Sequence, residues 1–455
     1  MYLQLPLNCT KATSFVFRYM FLVVWSFNLH RFLSLLNPIG WMTICVFCLS
    51  SSAYGVTDKA QDLFSGVKQS ILQIRVIDLA SGSKSAIGSG FVINGNGLLA
   101  TNYHVVEQKV SKPDKYRVEY MTNTNQTGEL RLVDVDVVND LALLVSSDLQ
   151  LLPLELIEKE PDIGEPVYAL GNPMDLGLTV VPGTYNGVLK GSYYPRMHFT
   201  GSLNAGMSGG ATLDKQGRVV GINVSSAGNQ VSFLVPVSDL QKLLNEYDDR
   251  GEAVENMQLR IRDQLLKDQE KKFSRLLKMP WESIRLGEAD VLKELHPFVK
   301  CWGGSNSSNT KAEYLTADRT CRSRDDIFLN SKFNTGSMEY QFFWLQAHKL
   351  DSWRFYNYYE KLYQDFIPGN KASEDDVTNF ECQDEFTNYE SKRQYKTLFC
   401  LRAYRHYPGL YDVLFLQGTV DDAERAFISH FTLAGVSENS ALNFTKRFME
   451  YSQWR

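Results

Sequence analysis

The sequence predicts an all-β domain over about residues 62–240 and a mainly α-helical, aromatic-rich region after it. Three observations carry this. Short β-branched runs such as Ile71 to Val76, Val133 to Val138 and Val219 to Val224 are separated by Gly, Asn and Asp turns. Helical spacing is nearly absent until Val237. Aromatic residues then crowd the second half, with 32 of the 56 Phe, Trp and Tyr in the 175 positions from 281 to 455. Many short strands in one segment suit either a sandwich or a pair of barrels. At 455 residues, with 44% apolar and 22% charged side chains, the chain has room for two or three domains of roughly 100–200 residues each. That composition argues against wholesale disorder, collagen and a polytopic membrane protein. The formal charge of -5, with no basic excess, argues against nucleic acid as the main partner.

The first segment, residues 1–55, reads as an export signal. No charged side chain occurs from Phe32 to Thr57, and Arg31 precedes the run. The apolar stretch ends in small residues, where Ser51 with Ala53, or Ala53 with Gly55, suits a cleavage site. Its length points to Met20 or Met42 as the working start. The alternative is a retained anchor, since 26 uncharged residues can span a bilayer, although Pro38 and Gly40 interrupt them. Either reading places the rest of the chain outside the cytoplasm, in a periplasmic or secreted location.

Within the β segment three patterns stand out. Gly88-Ser89-Gly90-Phe91-Val92-Ile93 and, after a turn, Leu98 to Val106 deliver His104 at the end of a strand pair. Asp140 stands immediately before the apolar run Leu141 to Leu144. Ser208 lies among glycines in Gly206-Met207-Ser208-Gly209-Gly210, which permit a tight turn with converging N–H groups. Each alone has a plainer reading as a core histidine, a strand terminator or a loop serine. Together, and with Ala169-Leu170-Gly171-Asn172-Pro173 and Val220-Gly221-Ile222-Asn223, they resemble the chymotrypsin-fold serine peptidases, most closely the HtrA-type branch.

That resemblance covers about residues 62–245 and implies a double β-barrel, trypsin-like domain over 56–245. It implies Ser208 as nucleophile, His104 as general base and acid, and Asp140 as the group orienting His104. The backbone N–H groups of Gly206 and Ser208 would form the oxyanion hole. It places Ser202 at the base of the primary pocket, where the absence of an acid removes the counter-charge for Arg or Lys. Leu203, Asn223, Val224 and Ser225, with Ser232 to Leu234, then suggest small or medium apolar specificity. Asn223 to Ser225 would be the edge that pairs with an extended substrate. Tyr103, Met207 and Ala211 depart from the pattern; Tyr103 could crowd the histidine, and Met207 could leave the oxyanion loop unformed at rest.

From Val237 apolar residues recur at spacings of three, four and seven. They predict a helix closing the β domain, a break near Gly251, and a charged helical linker over 246–280 with a solvated face, ended by Met279-Pro280-Trp281. Residues 281–455 are read as mainly helical, including Tyr340 to Trp344 and Trp353 to Tyr359, with the aromatics forming core or, as the alternative, a carbohydrate or peptide groove. No segment resembles the PDZ domain that HtrA-type proteins usually carry. Cys301, Cys321, Cys382 and Cys400 suggest two disulfides; three connectivities exist, and short loops favour Cys301 with Cys321 and Cys382 with Cys400. No Cys-x-x-Cys pair occurs in this half, and its histidines are not at ligand spacing from the cysteines, so neither metal nor cofactor is expected. Asn306-Ser307-Ser308 and Asn443-Phe444-Thr445 form glycosylation sequons. The leading expectation is an exported serine endopeptidase acting on proteins or peptides, touching membrane only through a retained signal. Its rival is a silent protease fold serving as a binding or chaperone-like module.

Overall fold

The computed structural model describes residues 56–454 apart from 229, 367 and 389–392. The expected export signal lies outside the described residues. Helix α1 (Val56–Val67) leads into β1 (Ile71–Asp78), β2 (Lys84–Val92), β3 (Leu98–Thr101), helix α2 (Tyr103–Ser111), β4 (Tyr116–Met121), β5 (Thr127–Asp136) and β6 (Leu141–Val145). These six strands close an antiparallel barrel in the order β1-β2-β3-β6-β5-β4. A second barrel follows from β7 (Pro166–Gly171), β8 (Thr179–Val188), β9 (Met197–Phe199), β10 (Ala211–Leu213), β11 (Val219–Ser226) and β12 (Ser232–Pro236). Its order is β10-β11-β12-β9-β8-β7. Alternation drives both: in β4, Tyr116, Val118 and Tyr120 are buried while the residues between them are not. One apolar cluster, including Ile71, Phe91, Leu143, Leu170, Ile222 and Val235, runs through both barrels. The double barrel is therefore as expected.

Helix α3 (Val237–Arg250) packs Leu240, Leu243 and Leu244 on the second barrel and ends at Gly251, whose φ of 72° is the left-handed cap. Helix α4 (Met257–Lys278) starts at Asn256, whose side chain accepts the Leu259 N–H at 2.9 Å. The helix and its break match the sequence pattern, but α4 is no solvated linker. Ile261, Leu265, Gln269, Lys272, Phe273 and Leu276 are buried. Gln264 donates to Val135 O at 2.6 Å and accepts from Val137 N at 3.0 Å, so α4 braces the loop that leads to Asp140. Arg250 and Arg260 both reach the buried Asp134 carboxylate, at 2.7 and 3.1 Å.

Lys272 departs furthest from its expected exposure. Its ammonium donates to Gly336 O at 2.5 Å and lies 5.0 Å from the Tyr193 ring centroid and 5.4 Å from that of Phe298. Burial lowers its pKa to about 8, although Asp268 and Asp325 work the other way. Because the folded amine releases its proton before the unfolded one does, unfolded chains bind more protons between about pH 8 and the ordinary value of 10.5. Stability relative to Lys272→Met is expected to rise across that window and to stay level below it, as read by denaturant unfolding at several pH values. A pH-independent difference would exclude titration of Lys272 in the fold.

Residues 281–455 differ most from expectation: they are mainly strands. A small sheet of β13 (Ser283–Leu286) and β14 (Ala289–Leu292) precedes β15 (Val299–Ser305) and β16 (Tyr314–Ser323). A hairpin, β17 (Ile327–Asn330) and β18 (Phe333–Thr335), comes next. Then follow β19 (Met338–Ala347), α5 (Ser352–Gln364), β20 (Glu381–Asn388), β21 (Gln394–Ala403), β22 (Tyr411–Thr419), β23 (Arg425–Val436), α6 (Glu438–Glu450) and a short β24 (Gln453–Trp454), which pairs with β14. The large sheet runs β15-β16-β19-β23-β22-β21-β20. Phe355 and Tyr359 of α5 pack with one face of it, and α4 and α6 with the other.

This covering explains the misread segment. Tyr340 and Phe342 join the cluster of Phe427, Phe431, Phe444 and Phe448, while Phe343 and Leu345 join the α5 side. A strand buried on both faces shows an unbroken apolar run, which periodicity cannot tell from a buried helix. The reading of Trp353 to Tyr359 as helix holds, whereas that of its aromatics as core holds for Phe355 and Tyr359 but not for Trp353 and Tyr356, which are exposed. Cys301 is bonded to Cys321 across β15 and β16, and Cys382 to Cys400 across β20 and β21, the pairing that the short loops favoured.

Candidate active site

His104 owes its place to a change of element. Strand β3 is wholly buried, and the chain turns at Asn102 into α2, so that the second residue of the helix meets the cleft between the barrels. Asp140 sits at a turn with φ of 62°, a left-handed conformation that Asp tolerates better than most residues. Its two oxygens divide the work: Oδ1 accepts the His104 backbone N–H at 2.9 Å, and Oδ2 lies 2.7 Å from His104 Nδ1. Asn102 Nδ2 donates to the Asp140 carbonyl at 2.7 Å, fixing the turn from below. The imidazole is partly buried, with 29% of its side chain exposed. Burial alone would lower its pKa, but the Asp140 carboxylate outweighs that, and the net shift is upward from 6.5.

Ser208 lies in a loop held by backbone bonds and small residues. Gly206 and Gly209 adopt φ of 94° and 82°, both left-handed. Ser89 ties the loop to the first barrel, its N–H donating to Ser208 O at 2.7 Å and its hydroxyl to Gly206 O at 2.7 Å. Met207 is fully buried in the core, which accounts for an apolar residue there. A Cβ on Gly209 would lie 2.2 Å from both Ser89 O and Thr101 Oγ1. Gly209→Ala is therefore expected to displace Ser208 and abolish its reaction with an active-site probe. Wild-type labelling by that variant would show the loop to be more pliable than its contacts imply.

The serine hydroxyl donates to Val224 O at 3.0 Å, not to His104. Histidine and aspartate are thus coupled, while the serine is parked on the neighbouring strand. Among the described residues, the N–H groups of Gly206 and Ser208 are not spent on protein acceptors.

The specificity residues divide. Ser202 is exposed at the start of the loop, and Leu203 is buried in the second barrel's core with its N–H donating to Ser232 Oγ at 3.2 Å. Val224 lines a cleft cavity of about 690 Å³ together with His104, Asp140 and Phe233. Ser225 pairs through its backbone with Phe233. Asn223 is corrected: it is fully buried and has no group left for a substrate. Its amide donates to Leu170 O at 2.9 Å and Met207 O at 3.2 Å, its Oδ1 accepts from Thr212 Oγ1 at 2.6 Å, and its backbone pairs with Gly209 and Gly210. It positions the serine loop.

Residues 88–222 match the family model of the trypsin-like peptidase domain. This segment is a trypsin-like peptidase domain. Serine protease HTRA1B of Danio rerio is 33% identical over 175 residues, which are 36% of each chain. Serine protease HTRA3 of Homo sapiens is 28% identical over 173 residues, covering 36% of this chain and 38% of the relative. The serine endoprotease from Yersinia pestis, a solved structure, is 25% identical with a TM-score of 0.37 over 42% of this chain and 68% of that one. The chain thus spans little more than a third of the length of the curated relatives it matches.

The structure gives a part to three residues that the sequence pattern left without one: Ser89, Asn102 and Phe328. Ser89 and Asn102 lie inside the quoted motifs, so their positions were visible and only their hydrogen bonds were not. Phe328 left no local signal: it is far from the domain in sequence, yet its ring stands edge-on to His104, with centroids 6.1 Å apart.

Proposed function

We propose that the chain is an exported serine endopeptidase that hydrolyses peptide bonds through Ser208, His104 and Asp140. The observation that carries this is the two-oxygen grip of Asp140 on His104, facing a cleft beside a glycine-held serine. In acylation the Ser208 hydroxyl leaves Val224 O and attacks the scissile carbonyl carbon while His104 takes its proton. The C–N bond then breaks as His104 returns the proton to the leaving amine. Water, activated by the same base, releases the acid. Backbone N–H groups of Gly206 and Ser208 stabilise the oxyanion in both steps.

Val224 O is where an extended substrate strand would donate its own N–H. Such a strand competes with Ser208 for that carbonyl, so substrate binding itself frees the nucleophile. Ser202 in place of an acid supports a preference for small or medium apolar side chains. Among the described residues no helix is long and apolar enough to cross a membrane. The two disulfides accord with an oxidising location.

A fluorophosphonate probe tests the reading on purified mature protein. Labelling of the wild type and not of Ser208→Ala is expected. Equal labelling of both, or none in either with peptide substrate present, points instead to a silent fold acting as a binding module.

A further inference from the structure

We propose that the β17–β18 hairpin of the C-terminal region is a working part of the catalytic centre: Phe328 is a positioning residue for His104 and forms an apolar subsite for substrate. This rests on the serine endopeptidase reading above.

The hairpin is fastened at both ends. Toward the first barrel, the buried Tyr103 donates its hydroxyl to Leu329 O at 3.0 Å, and its ring meets Phe328 at 6.5 Å. Ile327, Leu329 and Phe333 are buried in the same core as Val105, Val106 and Val110 of α2. Toward the C-terminal sheet, Thr335 Oγ1 lies 2.7 Å from Tyr404 OH, and Lys272 holds Gly336 O. Tyr103, the departure from the family pattern beside the histidine, is thus the residue that receives the hairpin.

Phe328 is half-buried. One side of it stands edge-on to His104, at an interplanar angle of 81°, a geometry that restrains the imidazole without competing for its nitrogens. It also lines the cavity of about 690 Å³ that His104 and Asp140 line, together with the apolar Val137, Val138, Val224 and Phe233. A substrate running along Val224 enters a cavity that Phe328 also lines. The chemical class it suits is an aliphatic or aromatic side chain near the scissile bond.

Full-length mature protein, fluorogenic peptides varied at each position around the cleaved bond, and the variants Phe328→Ala, Phe328→Leu and Phe328→Tyr make the test. For a substrate with serine at the position that lodges in the cavity, Phe328→Ala is expected to lower kcat by about 10–100-fold with KM little changed. Phe328→Tyr should restore most of it, and Phe328→Leu, which keeps bulk without a ring edge, should not. Preference for Phe or Leu over Ser at one position should shrink by roughly tenfold in Phe328→Ala. A fold check by thermal unfolding accompanies each; should Phe328→Ala unfold, Phe328→Leu against Phe328→Tyr decides. Wild-type activity with kcat and selectivity unchanged in folded Phe328 variants overturns the inference and leaves the peptidase reading standing. An inert wild type overturns both.

Discussion

Ser208→Ala is expected to lower kcat by on the order of 10⁶-fold, to a residue of turnover owed to binding and to the oxyanion N–H groups alone. The alanine leaves those backbone groups in place, because their geometry rests on Gly206, Gly209 and the Ser89 bonds and not on the serine hydroxyl. Loss of the hydrogen bond from Ser208 to Val224 O frees an exposed-edge carbonyl that a substrate N–H can use, so KM should change little. Single-turnover and steady-state measurements on one peptide check both halves. A kcat within tenfold of wild type would remove Ser208 from the chemistry.

Asp140→Asn should cost about 10⁴-fold in kcat, since the amide can hold the ring but favours the wrong tautomer and cannot stabilise the imidazolium. It should also move the acid limb of the pH profile. His104 acts as a base only when neutral, so wild-type kcat/KM rises with pH to a plateau, with a midpoint above the ordinary 6.5 because Asp140 outweighs burial. Without the carboxylate, burial is left to dominate and the limb should shift to lower pH. A profile whose midpoint is the same in both proteins would mean that Asp140 does not govern the ionisation of His104.

Much of this site was legible because its signals are local. Asp140 before an apolar strand, His104 after one and Ser208 among glycines are each a few residues long, and their order fits one known arrangement. The helix break at Gly251 was legible for the same reason, as a left-handed cap is a property of one residue. Asn223 was misassigned because its motif position says nothing of whether its amide faces the cleft or Leu170 O and Met207 O. Lys272 sat in a charge run that reads as solvated, until the packing of Tyr193 and Phe298 enclosed it.

By itself, then, the sequence marked an all-β domain, the helices between Val237 and Lys278 and the favoured cysteine pairs, and its short motifs carried the resemblance that implies a double barrel with His104, Asp140 and Ser208 as the expected reactive set. These depend on turn chemistry, periodicity and short loop closure, all written within about twenty residues. Only the tertiary structure decided that Tyr340 to Trp344 form a strand, since that depends on layers covering both faces. It alone brought Leu329 to Tyr103 across a separation of 226 residues. Contacts of that range depend on how whole faces match, and no local pattern records them.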